Sequence, residues 1–185
     1  VNEYIRAGFG LTLPDGVLYS TPESGIVTPT PQKIKERTVS NQGADFSGRI
    51  HKLKLAKAAS DLSTLRSRRE RDLKEESGYR YPLGLYEFTA AVTPGETETV
   101  TIELDRIYDT SNWAYRKYNG TSYIDISDQV IYGTAGGVTT ITYSITDNGP
   151  LDTDSRLGFI ADPAGPAIVE SGATTSSGGG GGGNS

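Results

Sequence analysis

From Tyr79 onward the chain is divided into short segments by residue pairs that favour turns: Pro94-Gly95, Asn119-Gly120, Ser127-Asp128 and Gly136-Gly137. Between these breaks the pattern has a period of two. Val100, Ile102 and Leu104 alternate with Thr101 and Glu103, which is the signature of a strand with one buried face. Trp113 to Tyr118, Tyr123 to Ile126, Val130 to Tyr132 and Val138 to Ile145 follow as further strands. Strands at this spacing close into a sandwich or barrel. The fold expected is therefore all-β, an antiparallel Ig-like β-sandwich, and 185 residues suffice for one such domain with an extension.

The flanks read differently. Residues 1–32 contain Gly8, Gly10, Pro14-Asp15-Gly16, Pro22, Pro29 and Pro31, which rule out a helix, while Phe9, Leu11 and Leu13 alternate with Gly10 and Thr12. This stretch is expected to be an extended, strand-like N-terminal arm ending in the Thr28-Pro29-Thr30-Pro31 spacer. In residues 49–76 two periods compete. Ile50, Leu53 and Leu55 fit a strand, whereas Leu55, Ala58, Leu62, Leu65 and Leu73 fit one helix face. The expectation is a strand to about residue 57 and then a short charged helix or loop, with Arg66, Arg68, Arg69 and Arg71 towards solvent. Residues 169–185, rich in Ser and Gly, have the composition of a linker. The chain is thus divided into an arm (1–32), a sandwich (33–168, with a basic part 33–78) and a tail (169–185).

Composition removes several kinds of chemistry. There is no cysteine, hence no thiol nucleophile, disulfide or cysteine-bound zinc, and His51 is the single histidine, read here as a surface residue without a role. His-based triads cannot be assembled within one chain from other positions. No run of about eighteen apolar residues exists to span a bilayer as a helix. Start at Val1 without a leader suggests a processed, exported chain. The net charge of −5 is unevenly spread: thirteen Lys and Arg face seven Asp and Glu in residues 33–80, and four face thirteen in residues 81–185. The acidic part and the acids scattered through the basic part argue against nucleic acid and favour head-to-tail association with further copies of the chain.

Three further sites are candidates. Asp147, Asp152, Asp154 and Asp162 supply hard oxygen ligands of the kind calcium takes, though they also suit turns beside Gly149 and Pro150. Tyr108, Trp113, Tyr115, Tyr118, Tyr123, Tyr132 and Tyr143 would serve either as a glycan platform or as cross-strand packing. Asn119-Gly120-Thr121 matches a glycosylation acceptor, but the same pair makes a hairpin turn.

Several segments resemble a bacterial surface module, the choice-of-anchor U domain. They are Tyr79-Arg80-Tyr81-Pro82-Leu83-Gly84-Leu85-Tyr86-Glu87-Phe88, the stretch Val92-Thr93-Pro94-Gly95 running to Ile102, Trp113-Ala114-Tyr115 with Asn119-Gly120, and Thr146-Asp147-Asn148-Gly149-Pro150-Leu151-Asp152-Thr153-Asp154 continuing to Pro166. The likeness covers about residues 79–167. It departs at Ser155-Arg156-Leu157, where the module has a loop rich in glycine and acid. The resemblance implies an exported, β-rich, non-enzymatic module of the cell surface, here with its sorting segment removed.

Two functions follow as expectations. One is a structural subunit of an extracellular filament, with Ile5, Phe9, Leu11 and Leu13 of the arm donated as a strand to a neighbouring copy. The other is a monomeric adhesin that binds glycan or calcium. No cofactor is required by either.

Overall fold

The structure is a computed structural model that describes residues 11–12, 18–19 and 32–170. The chain divides after Gln32 into two compact units. In the first unit, β1 (Leu11–Thr12) pairs antiparallel with β2 (Leu18–Tyr19), with Leu11 opposite Tyr19 and Thr12 opposite Leu18. Ile5, Phe9 and Leu13 of the expected arm lie outside the described residues.

The second unit contains two antiparallel sheets packed face to face, as expected from the alternation. Its strands are β3 (Glu36–Gln42), β4 (Ser47–Leu55), β5 (Asp61–Arg68), β6 (Tyr79–Arg80), β7 (Leu85–Ala91) and β8 (Thr97–Glu103), followed by β9 (Trp113–Tyr118), β10 (Tyr123–Asp125), β11 (Ile131–Ala135), β12 (Val138–Thr146) and β13 (Phe159–Val169). One sheet runs β11-β12-β8-β4-β3. The other runs β10-β9-β13-β7-β5, with β6 added on β13.

Alternation places the core. Leu53 and Leu55 of β4, Val100 and Ile102 of β8, and Ile141, Tyr143 and Ile145 of β12 meet Leu62, Tyr86, Phe88, Tyr115 and Ile160 from the other sheet, all buried. A second apolar cluster (Tyr81, Leu85, Tyr123, Ala167) lies outside the main core and is packed against Leu73, Tyr79 and Tyr118. One buried carboxylate organises the β4–β5 connection: Glu98 accepts backbone hydrogen bonds from Ala56 (2.8 Å) and Lys57 (3.0 Å), and another from the Ser60 hydroxyl. The β11–β12 hairpin is closed by Gly136 and Gly137, both with positive φ, directly between the paired residues Ala135 and Val138. Two successive positive φ values are the requirement of a type I′ turn, which only glycine meets without strain.

One sequence expectation is corrected. The short charged helix or loop expected after about residue 57 is strand β5, followed by a single 3₁₀ turn at Glu70–Asp72 and then a loop, so the helix alternative is the one corrected. The cause is a register shift between Leu62 and Thr64, which leaves Leu62 opposite Ala90 and Leu65 opposite Phe88, on the same inward face although three residues apart. A β-bulge thus imitates helical spacing. The outward arginines form a ladder, with Arg66 Nε 2.7 Å and Arg68 Nη1 3.0 Å from Glu87 Oε2. A strand that the sequence reading did not name is β13, which is central despite Pro163 and Pro166. Residues 159–164 pair with β7 and residues 164–168 with β9. Pro163 is paired with β7 alone and Pro166 with β9 alone, so at each proline one flanking ladder is absent.

Candidate functional site: an open sheet edge above a polar core

The two ends of the β11-β12-β8-β4-β3 sheet differ in how their backbone edges are protected. At β3 the edge carries Glu36 and Arg37, and a register shift falls between Ser40 and Gln42. It is also joined across the sandwich to β5: Arg37 Nε donates to Leu62 O at 2.8 Å and Gln42 N to Ser67 Oγ at 2.9 Å, and just before the strand Ile34 O accepts from Leu62 N at 2.7 Å. Charge, bulging and coverage are the usual devices that stop an edge from accepting a further strand.

At β11 these devices are missing. Ile131-Tyr132-Gly133-Thr134-Ala135 holds no charge, no proline and no register shift, and all five residues pair with β12 on one side only. Ile131 is 70% exposed. Tyr132 turns inward and meets Trp113 edge-on at 5.9 Å, which fixes the strand in phase. On the face that Ile131 shares, β12 and β8 present hydroxyls in pairs: Thr97 with Thr146 (2.7 Å), Thr99 with Ser144 and Thr101 with Thr142 (both 3.3 Å). The arrangement is a regular, uncharged edge with an apolar residue at its rim, suited to strand addition.

The aspartates named from sequence go to different places. Asp147 Oδ2 accepts from Gly95 N (2.7 Å) and Gly158 N (2.9 Å), and these backbone bonds hold its carboxyl below the usual range. Asp152 accepts from Asn148, Asp154 and Ala161 N, and Asp154 is engaged by the Arg156 guanidinium at 2.7 Å. Asp162 turns into the core against Lys117. Among the described residues no three acidic or histidine side chains converge on a point where a metal would sit. The oxygens of Asp147, Asp152 and Asp154 are used in shaping turns.

The aromatics pack against one another. Tyr115 and Tyr143 are buried with ring centroids 5.3 Å apart, and Trp113 lies between Tyr108 (5.6 Å) and Tyr132 (5.9 Å). The Asn119 side chain accepts from Thr121 N (3.0 Å) and Ser122 N (2.9 Å), closing the β9–β10 turn.

His51 is a correction: it is 1% exposed, not a surface residue. Its phase in β4 points it inward beside Leu53, and its ring nitrogens meet Tyr86 Oη (2.7 Å) and Asp105 Oδ1 (3.1 Å), to which the Tyr108 hydroxyl also donates (2.6 Å). A neutral imidazole that accepts from Tyr86 and donates to Asp105 satisfies both contacts. Burial lowers its pKa, with the Asp105 contact opposing. Tyr86, at one end of this relay, is fully buried, while the Asp105 side chain at the other end is 19% exposed.

The sequence reading also missed Lys117, 1% exposed, as the partner of Asp162. Its signal was the phase of β9: Tyr115 and Lys117 both occupy inward positions, and a charge there is not a solvated face. No helix among the described residues is long and apolar enough to cross a membrane. No family model matches the chain, and no curated protein or solved structure does so either.

Proposed function

We propose that the chain is a non-enzymatic structural subunit of a bacterial extracellular or cell-surface fibre, in which the β11 edge accepts a strand from the N-terminal arm of another copy. The observation that carries this reading is the contrast at the sheet ends: β3 is charged, bulged and bridged, while β11 is uncharged, regular and rimmed by exposed Ile131. A long-lived protein with an open edge of this kind associates through it unless something covers it. The arm would enter as a hairpin, because Leu11 and Thr12 already pair with Tyr19 and Leu18. Support comes too from the charge division between residues 33–80 and 81–185, which favours head-to-tail contacts over two-fold ones, and from the motif likeness to an exported surface module.

The test uses the full chain at physiological salt, followed by sedimentation velocity and electron microscopy. Thr134→Pro on β11 and a chain lacking residues 1–32 are compared with it. Open-ended assemblies that disappear in both variants support strand donation. Loss in Thr134→Pro alone reassigns the donor to a second β11. Monomers at all concentrations reject assembly and turn attention to the adhesin alternative, tested by glycan and calcium titration.

A further inference from the structure

Three carboxylates are buried among the described residues, Asp147 in the turn bonds already given and Glu98 and Asp162 deeper, and the last two are treated differently. Both oxygens of Glu98 are occupied by backbone N–H groups and the Ser60 hydroxyl. Asp162 has one partner, the ammonium of Lys117 on Oδ1, and its Oδ2 is left with none. Lys117 is the one lysine or arginine among the described residues that is buried, and the side chains of the pair are 1% and 0% exposed. Burying an unsupported ion pair costs several kcal/mol per ion before mutual attraction repays it.

Strand register explains how the two meet. Lys117 of β9 is directly opposite Ala164 of β13, so Asp162 lies two residues along the same inward face, within diagonal reach of a long side chain. The hydroxyls of Tyr115 and Tyr143 in the same region are buried and also lack partners. Burial, and after it the Asp162 charge, raises the Tyr143 phenol well above its ordinary value.

We propose that Lys117 and Asp162 are joined by an intramolecular isopeptide bond that forms without a cofactor in the folded core. A proton passes from the ammonium to the carboxylate, giving an amine and a carboxylic acid. The nitrogen lone pair attacks Cγ of Asp162 and a C–N bond forms. The C–O bond to the acid hydroxyl then breaks, and this hydroxyl leaves with one proton from nitrogen as a single water molecule. The amide keeps one N–H, nothing is oxidised or reduced, and both charges vanish from the core. Desolvation raises the Asp162 carboxyl, and Lys117 only partly offsets it, so the acid form needed for loss of water is favoured. Fixed placement of amine and acid supplies effective molarities that reach about 10⁵–10⁸ M in oriented systems. The Tyr143 hydroxyl is available to stabilise the oxyanion that develops on Asp162 during attack. The inference rests on the sandwich interior and is independent of the β11 edge.

The test is the intact mass of the purified, folded full chain, with peptide mapping after trypsin. The expected mass is one water below that of the sequence. Trypsin should fail to cut after Lys117, and fragment spectra should show a branched peptide linking Lys117 to Asp162. Lys117→Arg should have its full sequence mass. Asp162→Asn should lose one ammonia in place of one water, because the same attack on a carboxamide expels nitrogen. The wild-type measurement decides alone if either variant fails to fold. A wild-type mass equal to that of the sequence, with a tryptic peptide ending at Lys117, would overturn the proposal and leave an ion pair. So would a water loss that maps elsewhere, such as to Asp15-Gly16.

Discussion

β3 and β11 end the same sheet, and both are pleated strands with one ladder each, yet they are finished in opposite ways. β3 bears Glu36 and Arg37, shifts register near Ser40 and is bridged by hydrogen bonds to β5. β11 is five uncharged residues with a tight glycine turn and Ile131 facing outward. The difference teaches that the sandwich does not leave edges open by default. One side has been closed with side chains placed for that purpose, and the same side chains are lacking on the other. A strand that needed only to end the sheet would be expected to carry a lysine, a proline or a bulge.

The contrast can be broken or sharpened by substitution. The largest expected effect on stability is on the closed side. Leu62→Ala in β5 removes a fully buried side chain beneath the β3 bridge and should cost about 2–5 kcal/mol in urea unfolding. Arg37→Ala removes the hydrogen bond to the Leu62 carbonyl and should cost about 1 kcal/mol by the same measurement. A value near zero would mean that the bridge does not hold the edges together.

A third test uses pH. His51 lies in β4, paired with Val39 of β3, and its folded pKa is below the ordinary value near 6.5 because of burial, against the pull of Asp105. The unfolded chain therefore binds the proton more readily. Stability should be unaffected by this group above about pH 6.5 and should fall as pH is lowered from there through the folded pKa. Asp105, which burial pushes up but hydrogen bonds from Tyr108 and His51 hold below its usual value, adds a loss at still lower pH. His51→Gln should flatten the upper part of the curve, and an unchanged curve would contradict the buried neutral assignment. The smallest effect on stability is expected on the open side. Ile131→Lys should change unfolding by no more than about 0.5 kcal/mol, since the side chain is exposed, while weakening any association through β11.

Much of the fold was legible in the sequence, and its failures have physical causes. Val100 and Ile102, like Trp113 to Tyr118 and the residues flanking Gly136-Gly137, showed a period of two with turn chemistry at each end, and they lie in strands, while Leu104 follows the end of β8. Leu62 and Leu65 misled because one inserted residue at a bulge restores helical spacing to a strand. β13 was not named from the sequence, and it holds Pro163 and Pro166 where it changes partners midway, an arrangement that no local pattern shows. Of the site residues, Asp162 was named but for its oxygens in a loop, and its partner Lys117 is 45 residues away in the chain. Local patterns indicate which face a residue occupies. They do not indicate which residue of another strand it will meet there, and so the His51 relay and the Lys117 pair had to be seen in the fold. The β11 edge was hidden for the same reason: Val130 to Tyr132 was recognised as a strand, but only strand order shows that it is last in its sheet.

The most direct measurement is sedimentation velocity of the full chain beside Thr134→Pro, at matched concentration and with circular dichroism to confirm that both are folded. The open-edge reading predicts large assemblies for the native sequence and monomers for the variant. A native chain that sediments as a monomer across the concentration range, or a folded variant that assembles as the native chain does, would contradict it.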